Sequence, residues 1–158
     1  MNRSYDGLGT SIAGPVGIAN KLNGGIASKN GGIAQLSNGM LIEAFSQIGP
    51  AISDPIDVGL TTFPQDLSSF SPLIQPANPF SFQYNPTVAS SPLGGFMVVW
   101  EDDNTTYGRP GKNVIAQIFD NNLGGGTAFV VSEPALSGGD QVSPDVARLA
   151  SGNYVVVW

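Results

Sequence analysis

Cysteine and histidine are both absent from these 158 residues. Without cysteine there is no disulfide framework, thiolate metal site or thiol nucleophile. Without histidine the commonest general base and the commonest zinc ligand are missing. Charge is also scarce. Asp, Glu, Lys and Arg make up 11% of the chain, against about a quarter of an average globular domain. The six basic residues (Arg3, Lys21, Lys29, Arg109, Lys112 and Arg148) are scattered, and the net charge is −6. Nucleic acids and anionic membrane surfaces are held by clustered Lys and Arg, so neither is an expected partner. Apolar runs reach only the length of a strand, so insertion into a membrane is not expected either. No basic start followed by an apolar segment opens the chain, and no N-terminal signal peptide is visible. Export by a C-terminal signal stays open, as does origin within a longer chain.

What is abundant is punctuation: 21 glycines and 12 prolines, against an apolar content of 41%. That content suffices for a core, and the punctuation divides it into short elements. The elements recur. The stretch 86 PTVASSPLGGFMVVW 100 aligns without a gap on 144 PDVARLASGNYVVVW 158, 58 residues later. Pro86 meets Pro144, Val88 meets Val146, Gly94 meets Gly152 and Trp100 meets Trp158. A third copy, 33 IAQLSNGMLIEAF 45, lies 55 residues before the first, with Ile33, Ala34, Leu36, Gly39 and Phe45 in the matching places. The intervening segments correspond as well, 56 IDVGL 60 with 114 VIAQI 118 and 71 SPLIQPA 77 with 129 FVVSEPA 135.

Each repeat of about 58 residues thus offers four short strands. Period-two alternation marks them and Gly, Asn, Asp and Pro clusters separate them. Between the first and second strands, Ser37-Asn38-Gly39, Gly94-Gly95 and Ser151-Gly152-Asn153 supply the positive-φ residues of a tight hairpin. The N-terminal stretches 5 YDGLG 9 and 16 VGIAN 20 resemble the end of a third strand and a fourth strand. The organisation read from this is one repeat array. It runs from a partial unit at 1–30 (third and fourth strands), through full units at 31–80 and 86–136, to a partial unit at 143–158 (first and second strands). Repeated four-stranded units of this size fit an all-β, β-propeller-like array of antiparallel blades, with a β-sandwich as the alternative. The second strand, three valines and an aromatic at Val155–Trp158, is apolar on both faces and suits a position between neighbouring sheets.

The pattern P-x-V-A-x-L-x-x-G-x-[FY]-V-V-V-W is carried by Pro144, Val146, Ala147, Leu149, Gly152 and Tyr154–Trp158. With Ala116–Asp120 and Phe129–Val131, it resembles the tandem repeats of large secreted bacterial surface proteins, including adhesin-like and haemolysin-type calcium-binding ones. The resemblance covers 86–158 closely and 1–80 loosely, where Phe45 stands for the tryptophan and Glu43-Ala44 interrupt the valines. It implies propeller-like blades and an extracellular or cell-surface setting. It carries over no catalytic residue.

Little else carries chemistry. In 101 EDDNTTYGRPGKN 113, Asp102, Asp103 and Asn104 are hard oxygen donors beside Glu101, and calcium takes six to eight such ligands. The D-x-D-x-D-G spacing is missing, and Arg109 and Lys112 share the loop, so a solvated connection is the competing reading. The run 119 FDNNLGGG 126 lacks the calcium nonapeptide and reads as a turn. Neither 23 NGGIASKNGGIA 34 nor 110 PGKN 113 matches a phosphate-binding loop. Glycosidase chemistry needs two carboxylates about 5–10 Å apart, for which only Asp54/Asp57 and Asp102/Asp103 come forward. No enzymatic activity is expected, and no cofactor beyond calcium at the acidic loop.

The expected role is therefore structural: a self-associating module whose partner is another copy or further repeats of a longer chain. The assembly strand is Tyr154, Val155, Val156, Val157 and Trp158. The partial terminal units would complete one another within a chain or between chains. The alternative is an adhesin-type module for a glycan or a protein, with Tyr84 and Tyr107 as candidate contacts.

Overall fold

The structure, a computed structural model, describes residues 29–48, 56–76, 81–103, 111–132 and 139–158. The strands expected near 5–9 and 16–20 lie outside them, as do Asn104 and Tyr107. The described residues form nine strands and no helix. β1 (Lys29–Gln35), β2 (Leu41–Ile48) and β3 (Ile56–Phe63) form a three-stranded sheet in chain order. β4 (Gln83–Ser90), β5 (Phe96–Asp102), β6 (Asn113–Phe119) and β7 (Phe129–Val130) form a four-stranded sheet, again in chain order. β8 (Asp145–Arg148) and β9 (Tyr154–Val157) form a hairpin. All pairings are antiparallel.

Among the described residues only the second sheet has four strands. In the first, the place of a fourth strand is taken by an isolated bridge between Leu60 and Ile74. Pro64, Pro72 and Pro76 crowd this segment, and a residue without an N–H cannot extend a ladder.

One turn recurs three times. Leu36, Ser91 and Leu149 each donate their N–H to the carbonyl four residues on (2.8, 2.9 and 2.8 Å) and accept from the N–H of Gly39, Gly94 and Gly152 (2.9, 3.0 and 3.0 Å). Each of these glycines has a positive φ, 83°, 110° and 99°. This is the three-residue hairpin loop closed by a left-handed residue, and glycine adopts that conformation without steric cost.

Alternation along the strands decides the packing. In β5, Phe96, Val98 and Trp100 face the first sheet. They form one core with Leu36, Ile42, Ala44, Val58, Leu60, Val88, Ile115 and Phe119. Met97 and Val99 face the opposite way and pack with Ala116, Ala89, Val131, Val146, Tyr154 and Val156. The second sheet is thus covered on both faces, and every residue of β5 is buried. A run apolar on both sides is what such a position requires. β4 lies across the first sheet and β8 lies across β4 and β5, so the sheets stack in chain order. Phe63, Leu67, Leu41 and Phe70 make a small separate cluster. Among the described residues the stack does not close into a ring or barrel. Among the described residues no helix is long and apolar enough to cross a membrane.

Candidate functional site

Two regions gather the residues singled out by the sequence: the acidic end of β5 and the outer side of the β8–β9 hairpin.

At the acidic end, strand alternation sends neighbouring carboxylates in opposite directions. Glu101 points towards the third sheet and Asp102 towards the first. The Glu101 side chain is almost wholly buried and fully engaged. Lys112 Nζ makes an ion pair with Oε2 at 2.8 Å, and Ser143 N–H donates to Oε1 at 2.9 Å. Asn85 Nδ2 also donates to Oε1. Asn85 itself sits in the irregular stretch of β4 between Tyr84 and Thr87, with a φ of 48° that Asn tolerates better than most residues. Burial works to raise the pKa of Glu101. The donors from Lys112, Ser143 and Asn85, with the Lys112 charge, outweigh it and hold the carboxyl below its ordinary value. Lys112 is correspondingly raised, chiefly by its hydrogen bond to Glu101, against the opposing effect of burial. Its ammonium also lies 4.2 Å from the centre of the Tyr84 ring, a favourable cation–π placement. Burial, with the nearby Asp103 charge, raises the Tyr84 hydroxyl, and Lys112 opposes the rise.

Asp102 is fully buried. Its Oδ2 accepts from Trp100 Nε1 at 3.2 Å and from Gln83 Nε2 at 3.5 Å. Gln83 Oε1 in turn accepts from the N–H of Val58 in the first sheet at 3.1 Å. Asp103 Oδ1 accepts from Phe82 N–H at 2.8 Å. Each carboxylate is therefore held by donors of the chain itself: one ties the second sheet to the third, one ties it to the first, and one closes the β4–β5 end. Asp102 and Asp103 do not converge on a common point with Glu101. Among the described residues no group of three or more acidic side chains is placed to hold a metal ion. The partners Asn85, Gln83 and Ser143 had no signal in the sequence, because they are brought to the acids by pairing and stacking rather than by spacing. Lys112 was visible in the same loop as a charge, but its pairing was not.

At the other region, β9 carries the expected assembly residues. Tyr154 and Val156 face the second sheet. Val155 and Val157 face away and are 42% and 58% exposed. Trp158 is 43% exposed, with its Nε1 donating to Gln141 Oε1 at 2.7 Å. β9 pairs only with β8, so its second edge has no strand partner among the described residues. Leu149, also exposed, extends the apolar surface. Arg148 stays on the covered side, with its guanidinium carbon 4.7 Å from the centre of the Tyr154 ring and Nη2 donating to Ser91 Oγ at 3.2 Å.

No family model, curated protein or solved structure matches this chain, so the comparisons identify no repeat family.

Proposed function

We propose that this chain is a structural, self-associating repeat module of a bacterial extracellular or cell-surface protein. Its sheets act as propeller-like blades, and its role is to continue a β stack rather than to catalyse. The observation that carries this reading is the exposure of Val155 and Val157 on the outer face of β8–β9. Their counterparts one repeat earlier, Met97 and Val99, are buried beneath the next sheet. A flat apolar face beside an unpaired strand edge is a surface that proteins normally cover. The partner is a sheet of the same kind, from another copy or from further repeats, and the resemblance to secreted repeat proteins supports the setting.

The test is mass in solution by light scattering, for the natural chain and for a V155K/V157K double variant. Association of the natural chain, lost in a variant with an unchanged β-sheet circular dichroism spectrum, is the expected result. A natural chain that is monomeric at every concentration reached sinks the reading.

One observation favours a second reading, an adhesin-type glycan contact. Phe82 is exposed and stacked on Tyr84, with ring centres 6.3 Å apart and planes 12° from parallel. A sugar ring stacks on such an apolar platform beside polar groups. Glycan-array binding lost on Phe82→Ala would support it. An array without signal would remove it.

A further inference from the structure

The two internal junctions of the stack obey one rule. Where the second sheet meets the third, equivalent positions touch: Thr87 Oγ1 donates to Asp145 Oδ1 at 3.2 Å across 58 residues. Where the first sheet meets the second, a Cβ built on Gly32 would come within 3.1 Å of Thr87 Cα, and these two positions are equivalent at the offset of 55. In both junctions the leading strand of the later sheet, β4 or β8, lies across the earlier sheet. The leading strand presents one aliphatic residue to that sheet: Val88 against the face bearing Ile42 and Ala44, and Val146 against the face bearing Met97 and Val99.

Among the described residues, the two outer faces of the stack are the halves of that same junction. At one end, Val155 and Val157 stand where Met97 and Val99, and Ile42 and Ala44, stand in the covered faces. At the other end, Ile33 on β1 occupies the place of Val88 and Val146. Alternation turns it away from the core that holds Ala34 and Leu36, and it is 56% exposed. Nearer β3, the outer face of the first sheet is already covered, with Leu73 and Phe45 closing over Gly59. Among the described residues, the leading strand β1 is the part left open.

We infer that a second copy of this chain docks head to tail, its β1 laid across the β8–β9 hairpin of the first, with Ile33 seated on Val155 and Val157. This rests on the self-association proposed above and specifies its geometry. The contact is heterologous: the surface on one copy differs from the surface on the next. Repetition of such a contact builds a ring if the rotation closes and a filament if it does not.

The absence of cysteine makes the test clean. Single-cysteine chains I33C and V155C substitute exposed residues and leave the core untouched. Each is treated with a short bis-maleimide, alone and as an equimolar mixture in which one chain carries an added tag to separate the products by size. Cross-linked dimer in the mixture, composed of one chain of each kind, with little from either chain alone, is the expected result. V155C linking to itself would mean that the hairpins pack face to face in a two-fold dimer, which overturns the inference while leaving self-association intact. No cross-link in any sample, with association still seen by light scattering, overturns it as well. A natural chain that remains monomeric removes both the inference and the reading beneath it.

Discussion

The second and third sheets are built on nearly the same text and end in different environments. Phe96–Trp100 and Tyr154–Trp158 align residue for residue, and both strands follow the same three-residue turn. Yet Trp100 is fully buried, with its indole N–H on Asp102, whereas Trp158 is 43% exposed, with its N–H on Gln141. Val99 is sealed between sheets and Val157 faces outwards. What differs is the number of neighbours: among the described residues two sheets cover β5 and one covers β9. Strand and turn are local properties, and burial is supplied by the stack.

Substitution of the paired residues should separate these contributions. The largest difference is expected at the tryptophans. Trp100→Ala empties a core position and strands the Asp102 acceptor, at a cost of about 3–5 kcal/mol. Trp158→Ala should cost about 1 kcal/mol. Urea titrations of the two variants at a concentration where the chain is monomeric measure the gap. Equal midpoints would mean that the stacking order is wrong.

Next comes Glu101, which binds the second sheet to the lead-in of the third. Glu101→Gln removes the ion pair with Lys112 and should cost about 2 kcal/mol at neutral pH. The variant also tests a pH dependence. The folded pKa of Glu101 lies below its ordinary value of 4.5, so its contribution is complete above that pH. It is lost as the pH falls through the lower folded value. Lys112, raised above 10.5, gives the converse: its contribution holds below that pH and is lost as the pH climbs through the folded value. Thermal melts of the natural chain should therefore fall off at both extremes. The Glu101→Gln melts should be flatter on the acid side, and an unchanged acid limb would remove Glu101 as its source.

The valines give a smaller contrast. Val99→Ala should cost about 2 kcal/mol, two methyl groups' worth of burial plus a cavity. Val157→Ala should stay within about 0.5 kcal/mol in the monomer. A second sheet docked on the hairpin would bring the two values together as protein concentration rises.

The smallest difference is expected at the turns. Gly94→Ala and Gly152→Ala each place a Cβ at positive φ, with no backbone atom in the way, so each should cost about 1–2 kcal/mol of local strain. Hydrogen exchange of the two hairpins would show whether the turn is as local as its geometry suggests.

The contrast also marks how far the sequence could be read. Strand positions follow from alternation and glycine. The doubly apolar run at Val155–Trp158 pointed to a strand between two layers, yet among the described residues it is the aligned run Phe96–Trp100 that holds such a place, while Val155 and Val157 face outwards. The segment around Ile74 looked like a fourth strand by its correspondence with Phe129–Val131, but its prolines leave a single bridge. Asp102 and Asp103 were legible as oxygen donors. Their directions follow from alternation, but their donors do not: Gln83 and Phe82 reach them through the β4–β5 register, and Ser143 reaches Glu101 across 42 residues. Ile33 was visible as the counterpart of Val88, yet only the layer order shows that no described strand stacks on its side of β1.

The sequence by itself determined the class of structure, the hairpin turns and the repeat, because these depend on backbone conformation and on which residues share a face, both set within a few positions. The tertiary structure alone decided which faces meet, which carboxylates are consumed as ties between sheets, and which valines are left outside. Those outcomes depend on the order in which sheets stack, and identical strands acquire different burial according to their place in that order.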